Sequence, residues 1–271
     1  MLKNNYHTHM KYCNHAEGET VDYVKKAIEL GFSELGMSDH APIPLNHGMT
    51  PAEWEENYCY ENMTLDIFDK YLSEIDELRI KYPNIKILKG LESEFLDNNL
   101  EWYTNLRKRL DYMILGIHFY NYDGRVLDTY RDINDQTVDG YLRCARLGIE
   151  SGLFDYLAHP DLYLYNYEFN DKAKEVCQEL IDLCVKYDIY FEINTNGLKY
   201  TDNKLDQMRW RYPNKKFWLY VKDYMDKNPG KLKVIVGADS HTPDALNNDN
   251  VKLVEEFIKE IGLKVVEKAE F

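Results

Sequence analysis

The 271 residues carry 44% hydrophobic and 30% charged side chains, enough apolar material for a substantial core and too much for a disordered chain. A formal net charge of −14 sets the chain against nucleic acid and anionic membranes, both of which repel it, unless bound cations reverse the field locally. No apolar run approaches the ~20 residues of a membrane span, and no secretory leader precedes the first motif, so a cytoplasmic location is expected.

Short apolar runs alternate with longer helical patterns, which is the signature of parallel β/α architecture. The first strand, Leu2 to His7, ends in His7-Thr8-His9. Side chains two apart on an extended segment share a face, so both imidazoles can grip one ion. Thr20 caps a helix with Val21, Val24, Ala27 and Ile28 on its apolar face, ending at Gly31. The strand Glu34 to Ser38 runs into Asp39-His40. The polar and aromatic segment Ala41 to Met63, with three prolines, is too long for an ordinary connection and reads as a flap.

A helix from Thr64 then stops before Pro83, and the strand Ile85 to Leu91 delivers Glu92. A short helix from Leu100 to Arg109 precedes the strand Tyr112 to Ile117, which delivers His118. A helix from Asp135 leads to the strand Phe154 to Ala158 and His159, and the helix Asp171 to Tyr187 to the strand Ile189 to Ile193 and Asn194. A helix near Phe217 to Asp226, the strand Leu232 to Gly237 delivering Asp239 and His241, and a helix from Val251 to Ile261 complete the chain. Seven strands each backed by helix pack naturally as a closed or nearly closed barrel, with an open doubly wound sheet as the alternative. No linker or repeat interrupts residues 1–271, so one domain is expected.

The informative regularity is positional. Seven of the eight histidines, all but His47, fall at or just beyond the ends of strands, together with Glu92, Asn194 and Asp239. In a parallel barrel those ends share one face. Imidazoles and carboxylates without a cysteine pattern point to catalytic rather than structural metal, and there are too many for one ion. The five cysteines contain no C-x-x-C pair and read as reduced thiols; Cys13, near His15, is a ligand, a nucleophile or pocket lining.

In order, His7-Thr8-His9, His15 within Cys13-Asn14-His15-Ala16-Glu17-Gly18, Ser38-Asp39-His40, Gly90-Leu91-Glu92, Gly116-Ile117-His118-Phe119, His159-Pro160-Asp161 and Gly237-Ala238-Asp239-Ser240-His241 resemble the motifs of the PHP (polymerase and histidinol phosphatase) superfamily. Glu192 to Leu198 is similar to a segment of its histidinol-phosphate phosphatase branch. The resemblance implies a distorted (β/α)7 TIM-like barrel with three divalent ions, Zn, Mn or Fe. The first would be held by His7, His9, Glu92 and Asp239. The second would share Glu92 with His118 and His159, and the third would take His15, His40 and His241. Glu94, two residues from Glu92 on the same strand face, competes for the bridging role.

The implied reaction is hydrolysis of a small phosphate monoester, histidinol phosphate, or on the alternative reading another phosphoester such as a nucleotide. Metal binding lowers the pKa of water to about 7 and so supplies hydroxide at neutral pH. Asp161 is a candidate proton donor to the leaving alkoxide, and Asp239 is expected to act at the metals. No glycine-rich phosphate loop is present, so Lys199 is the candidate phosphate grip, in a position where the family often has arginine. Asn194 and Tyr120 are expected to touch substrate, with Tyr12, Tyr58, Tyr60, Tyr163 and Tyr165 as further candidate wall residues among 23 tyrosines.

Overall fold

A computed structural model describes residues 2–43, 62–96, 99–200 and 211–271. Most of the expected flap, with His47, Tyr58, Cys59 and Tyr60, lies outside the described residues.

Parallel strands form two runs: β1 (Asn4–Asn5), β2 (Glu34–Met37) and β3 (Lys86–Lys89), then β4 (Glu92–Ser93), β5 (Ile114–Leu115), β8 (Tyr156–Leu157), β9 (Tyr190–Asn194) and β10 (Val234–Gly237). Two parallel bridges join the runs. Thr8, past β1, pairs with Ser240, past β10, and His40, past β2, pairs with Glu92 in β4. The circuit therefore passes through seven staves, β3 and β4 being successive parts of one, and the distorted (β/α)7 barrel is the fold. The closing bridges lie at the C-terminal ends of the strands, the face that carries active sites in parallel barrels, and two of the four bridging residues, His40 and Glu92, are candidate ligands.

Among the described residues seven α-helices surround the staves: α1 (Thr20–Glu29), α2 (Leu65–Lys81), α3 (Leu100–Arg107), α4 (Val138–Glu150), α5 (Asp171–Tyr187), α6 (Lys215–Lys227) and α7 (Asp249–Ile261). Their starts follow side-chain chemistry. The N-cap of α1 is Glu19, one residue before the expected Thr20; its backbone N–H donates to Asp22 Oδ2 at 3.1 Å. Asn170, Asn214 and Asn248 cap α5, α6 and α7 by accepting backbone N–H groups of the first turn. The α2 face of Phe68, Tyr71, Leu72, Ile75 and Leu78 is buried, and the helix ends just before Pro83.

Two cores result. The larger lies between helices and staves. The smaller fills the barrel, and tyrosines dominate it: Tyr6, Tyr112, Tyr156 and Tyr190 pack with Leu88, Ile114 and Ile235. Each hydroxyl needs a partner inside; Tyr112 donates to Tyr6 O at 2.5 Å and Tyr6 to Glu34 Oε2 at 2.7 Å. Phe271 stacks on Tyr112 with ring centroids 4.5 Å apart, closing the end opposite the histidines.

The antiparallel hairpin β6 (Phe119–Tyr122) and β7 (Arg125–Asp128) was not expected from periodicity. Its signal is Asp123-Gly124, both at positive φ (50° and 76°), the pair that two-residue hairpin loops favour.

Candidate metal centre

Five staves, β1, β2, β5, β8 and β10, lead into the cluster from their C-terminal ends, the run β3–β4 contributes through Glu92 at the start of β4, and β9 brings supports from below. Glu92 is the meeting point. Its Oε2 lies 3.3 Å from His7 Nε2, 3.3 Å from His9 Nε2 and 3.5 Å from His40 Nδ1. Its Oε1 lies 2.9 Å from His159 Nε2 and 3.7 Å from His118 Nε2. Asp239 Oδ1 stands 3.1 Å from His9 Nε2, 3.6 Å from His7 Nε2 and 3.5 Å from His241 Nδ1. His15 and His241 face each other, Nε2 to Nε2 at 3.0 Å, and His7 and His9 do so at 3.1 Å. His7, His9, Glu92 and His159 form a buried floor, while His118 and His241 are half-buried and His15 is exposed at the rim.

This donor set fits divalent ions. Four ligands around an ion at 2.0–2.1 Å sit about 3.3 Å from one another, which is the spacing found here. Three groups have ligand atoms all within 4.8 Å of one another: His7, His9 and Asp239; His40, Glu92 and His118; His9, His40 and His241. Opposed imidazole nitrogens cannot all be satisfied by each other's protons, and no thiolate enters these groups. A fourth group, His9, Cys13 and Asp39, lies behind His9.

The surroundings orient the rings. His7 Nδ1 lies 2.8 Å from Glu192 Oε1, His118 Nδ1 2.9 Å from Glu94 Oε1, His15 Nδ1 2.9 Å from Cys13 O and His241 Nδ1 3.0 Å from Asp239 O. In each case the other nitrogen is left for the cluster. Asp39 accepts the backbone N–H of Met10 and of His40, tying β1's extension to β2's. His159 and Asp239 hold positive φ values of 30° and 46°, rare for residues with a side chain and typical of over-determined sites.

Proton distribution in the cluster follows from burial and charge. Burial opposes a charged His7, but Glu192, Glu92 and Asp239 outweigh it and hold the imidazole well above its ordinary value. His118, despite burial, is pushed up to about 9 by Glu92 and Glu94. Burial and the neighbouring His9 depress His241 to about 3, and the positive charge of Lys199 adds to this. The carboxyls of Glu92 and Asp239 are held well below the carboxylate range, burial being overcome chiefly by His7.

Several expected roles differ from the geometry. Asp161 is fully buried, with Oδ2 accepting the Asn214 N–H at 2.6 Å and the Trp218 indole at 3.0 Å, so it holds the start of α6. Burial pushes its carboxyl up to about 7. Asn194 is also fully buried and gives its amide to Glu192 Oε2 at 2.9 Å and Asp239 Oδ2 at 3.2 Å, so it supports a candidate ligand from below instead of meeting substrate. Tyr120 belongs to the core: its hydroxyl donates to Asp132 O, and Gly140 of α4 is pressed against its ring. The hairpin, invisible to the periodicity argument, carries it there. Glu192 and Asn196 were missed as supports, although both sit in the motif segment Glu192 to Leu198. Asn196 Nδ2 donates to Asp239 Oδ2 at 3.0 Å.

The profile of the PHP domain family matches residues 5–196. The chain belongs to the PHP domain family. Across this PHP chain, 270 residues align at 22% identity with a protein of Bacillus subtilis named histidinol-phosphatase, covering 89% of this chain and 94% of that one. Two solved structures share the fold. One, from Listeria monocytogenes, described as a putative histidinol phosphatase, has a TM-score of 0.72 at 21% identity, covering 92% of this chain and 99% of its own. The other is histidinol phosphate phosphatase from Lactococcus lactis in complex with zinc, L-histidinol and phosphate, with a TM-score of 0.70 at 19% identity, covering 98% of this chain and 96% of that one. Among the described residues of this PHP protein no helix is long and apolar enough to cross a membrane.

Proposed function

We propose that this chain is a metal-dependent histidinol-phosphate phosphatase, hydrolysing L-histidinol phosphate to L-histidinol and phosphate in histidine biosynthesis. One observation carries the chemistry: five imidazoles surround the two oxygens of Glu92, with Asp239 beside them, on one face of the barrel. The substrate rests on the relatives, since the Bacillus subtilis protein bears that name along 94% of its length and the Lactococcus lactis structure holds zinc, histidinol and phosphate.

In this reading His7, His9, Glu92 and Asp239 hold one ion, Glu92, His118 and His159 a second, and His15, His40 and His241 a third. Bound zinc, manganese or iron ions would neutralise charge on the phosphate and bring the pKa of water to about 7. Glu92, whose two oxygens face different imidazoles, would serve as a ligand to both of the first two ions. Asp239, its Oδ2 held by Asn194 and Asn196, presents Oδ1 to the ions without reorganising. Lys199, exposed on the turn Asn196–Tyr200 that follows β9, would grip the phosphate as a point charge. Asp161 positions α6. In this reading residues 1–271 are one domain that works in the cytoplasm, and the pairing between Thr8 and Ser240 supports the single domain.

The test is phosphate release from histidinol phosphate, set against nucleotide and sugar phosphates, before and after chelator treatment with metal add-back. We expect turnover of histidinol phosphate to dominate, to vanish on chelation and to return with Zn or Mn. Turnover persisting in fully stripped protein would refute the mechanism. Equal rates on all monoesters would remove the substrate assignment and leave the chemistry.

A further inference from the structure

We infer that Glu192 is a positioning residue for this centre: it fixes the imidazole of His7 with Nε2 turned into the cluster and clamps the backbone of His159. This rests on the metal-holding reading above. Glu192 lies on β9, fully buried beneath the histidines. Its Oε1 lies 2.8 Å from His7 Nδ1 and accepts the Tyr156 hydroxyl at 2.8 Å. Its Oε2 accepts the His159 backbone N–H at 2.8 Å and the Asn194 amide at 2.9 Å. Four donors meet two oxygens, which only an acceptor on both sides can satisfy.

The consequence is tautomeric. A neutral imidazole that donates from Nδ1 keeps its lone pair on Nε2, and that nitrogen is the one lying 3.3 Å from Glu92 Oε2 and 3.1 Å from His9 Nε2. The same carboxylate holds the N–H of His159, whose φ of 30° is unfavourable for a residue with a side chain, and through Asn194 it reaches Asp239. Three candidate ligands on different staves thus share one buried anchor. The neighbouring strand makes room for it: a Cβ on Gly237 would lie 1.5 Å from Glu192 Oε1. A carboxylate present only to stabilise the barrel would not need to select which nitrogen of His7 carries the proton.

Glu192→Gln separates the two roles. The amide must turn its NH2 toward one pair of donors, and on the His7 side that moves the ring proton to Nε2. In zinc-loaded protein, chelator competition should show zinc affinity falling by about 10- to 100-fold, while Tyr156→Phe, which keeps the charge, stays near wild type. The ¹⁵N spectrum of histidine-labelled, zinc-loaded wild type should show His7, assigned by its loss in His7→Asn, protonated at Nδ1 and metallated at Nε2. A folded Glu192→Gln protein with unchanged zinc affinity would overturn the inference. Should that variant not fold, the wild-type spectrum decides: His7 bound through Nδ1 overturns it. Failure of wild type to take up stoichiometric zinc would instead sink the metal reading itself.

Discussion

Glu92 and Glu94 are two residues apart on one edge of the barrel, yet their surroundings assign them different work. Glu92 reaches five imidazoles, whereas among the described residues Glu94 Oε1 meets one, His118 Nδ1, at 2.9 Å. Replacing Glu92 by Gln removes the charge shared by two ion positions. It should cut kcat by about three orders of magnitude and lower the bound-metal count, as loss of a preorganised charge does. Glu94→Gln leaves the ligands in place and loosens one ring, so a fall of about 10- to 100-fold is expected. Metal analysis of both proteins beside kcat checks the ordering; equal metal loss would contradict it. The candidate ligands were legible in the sequence because strand ends and histidine spacing are both local. Asp161, Asn194 and Tyr120 were not, since each role depends on which distant group fills its hydrogen bonds: Asn214 and Trp218 for the first, Glu192 and Asp239 for the second, Asp132 for the third.

At the scale of elements, the expected strand from Ile85 to Leu91 is split. β3 stops at Lys89 and β4 resumes at Glu92, and between them Gly90 hands its carbonyl to the Tyr71 hydroxyl at 2.9 Å and its N–H to Met37 O at 2.7 Å. An added Cβ at Gly90 would lie 2.3 Å from Tyr112 Cζ, a ring fully buried in the barrel. The break therefore lets the stave cross a tyrosine and still deliver Glu92 at the height of the imidazoles. Gly90→Ala should destabilise the protein by about 1–3 kcal/mol through overpacking. Urea unfolding would show this as a lower midpoint with unchanged slope, and an unaltered midpoint would mean that Tyr112 can yield. The apolar run foretold the stave, but the break was hidden because a glycine records the permission for a close approach and not the partner that makes it. The hairpin was hidden differently: Phe119 to Tyr122 reads as more strand end, and only Asp123-Gly124 marks the reversal.

For the whole molecule, the barrel has a histidine-lined end and a closed aromatic end, and the second is tied to Lys268, near the last residues, by Glu34. The residue is 2% exposed; Lys268 Nζ lies 2.7 Å and Lys86 Nζ 3.3 Å from its Oε1, and the Tyr6 hydroxyl donates to Oε2 at 2.7 Å. Burial raises its carboxyl pKa, but Lys268, Tyr6 and Lys86 outweigh that and hold it below the ordinary 4.5. A carboxyl whose folded pKa is depressed contributes stability that is fully present above the unfolded value and lost as pH falls through the folded one. Both lysines are more than half exposed, so solvent screening limits the ion pairs and the contribution at neutral pH is about 1 kcal/mol. Wild type should therefore be more stable than Glu34→Gln at pH 7, and the gap should close between about pH 5 and pH 3. The cluster carboxylates also titrate in acid, but they are common to both proteins and cancel in the difference. Urea midpoints across that range decide the matter, and a gap that stays constant down to pH 3 would show that Glu34 contributes shape and not charge to the closed end of the barrel.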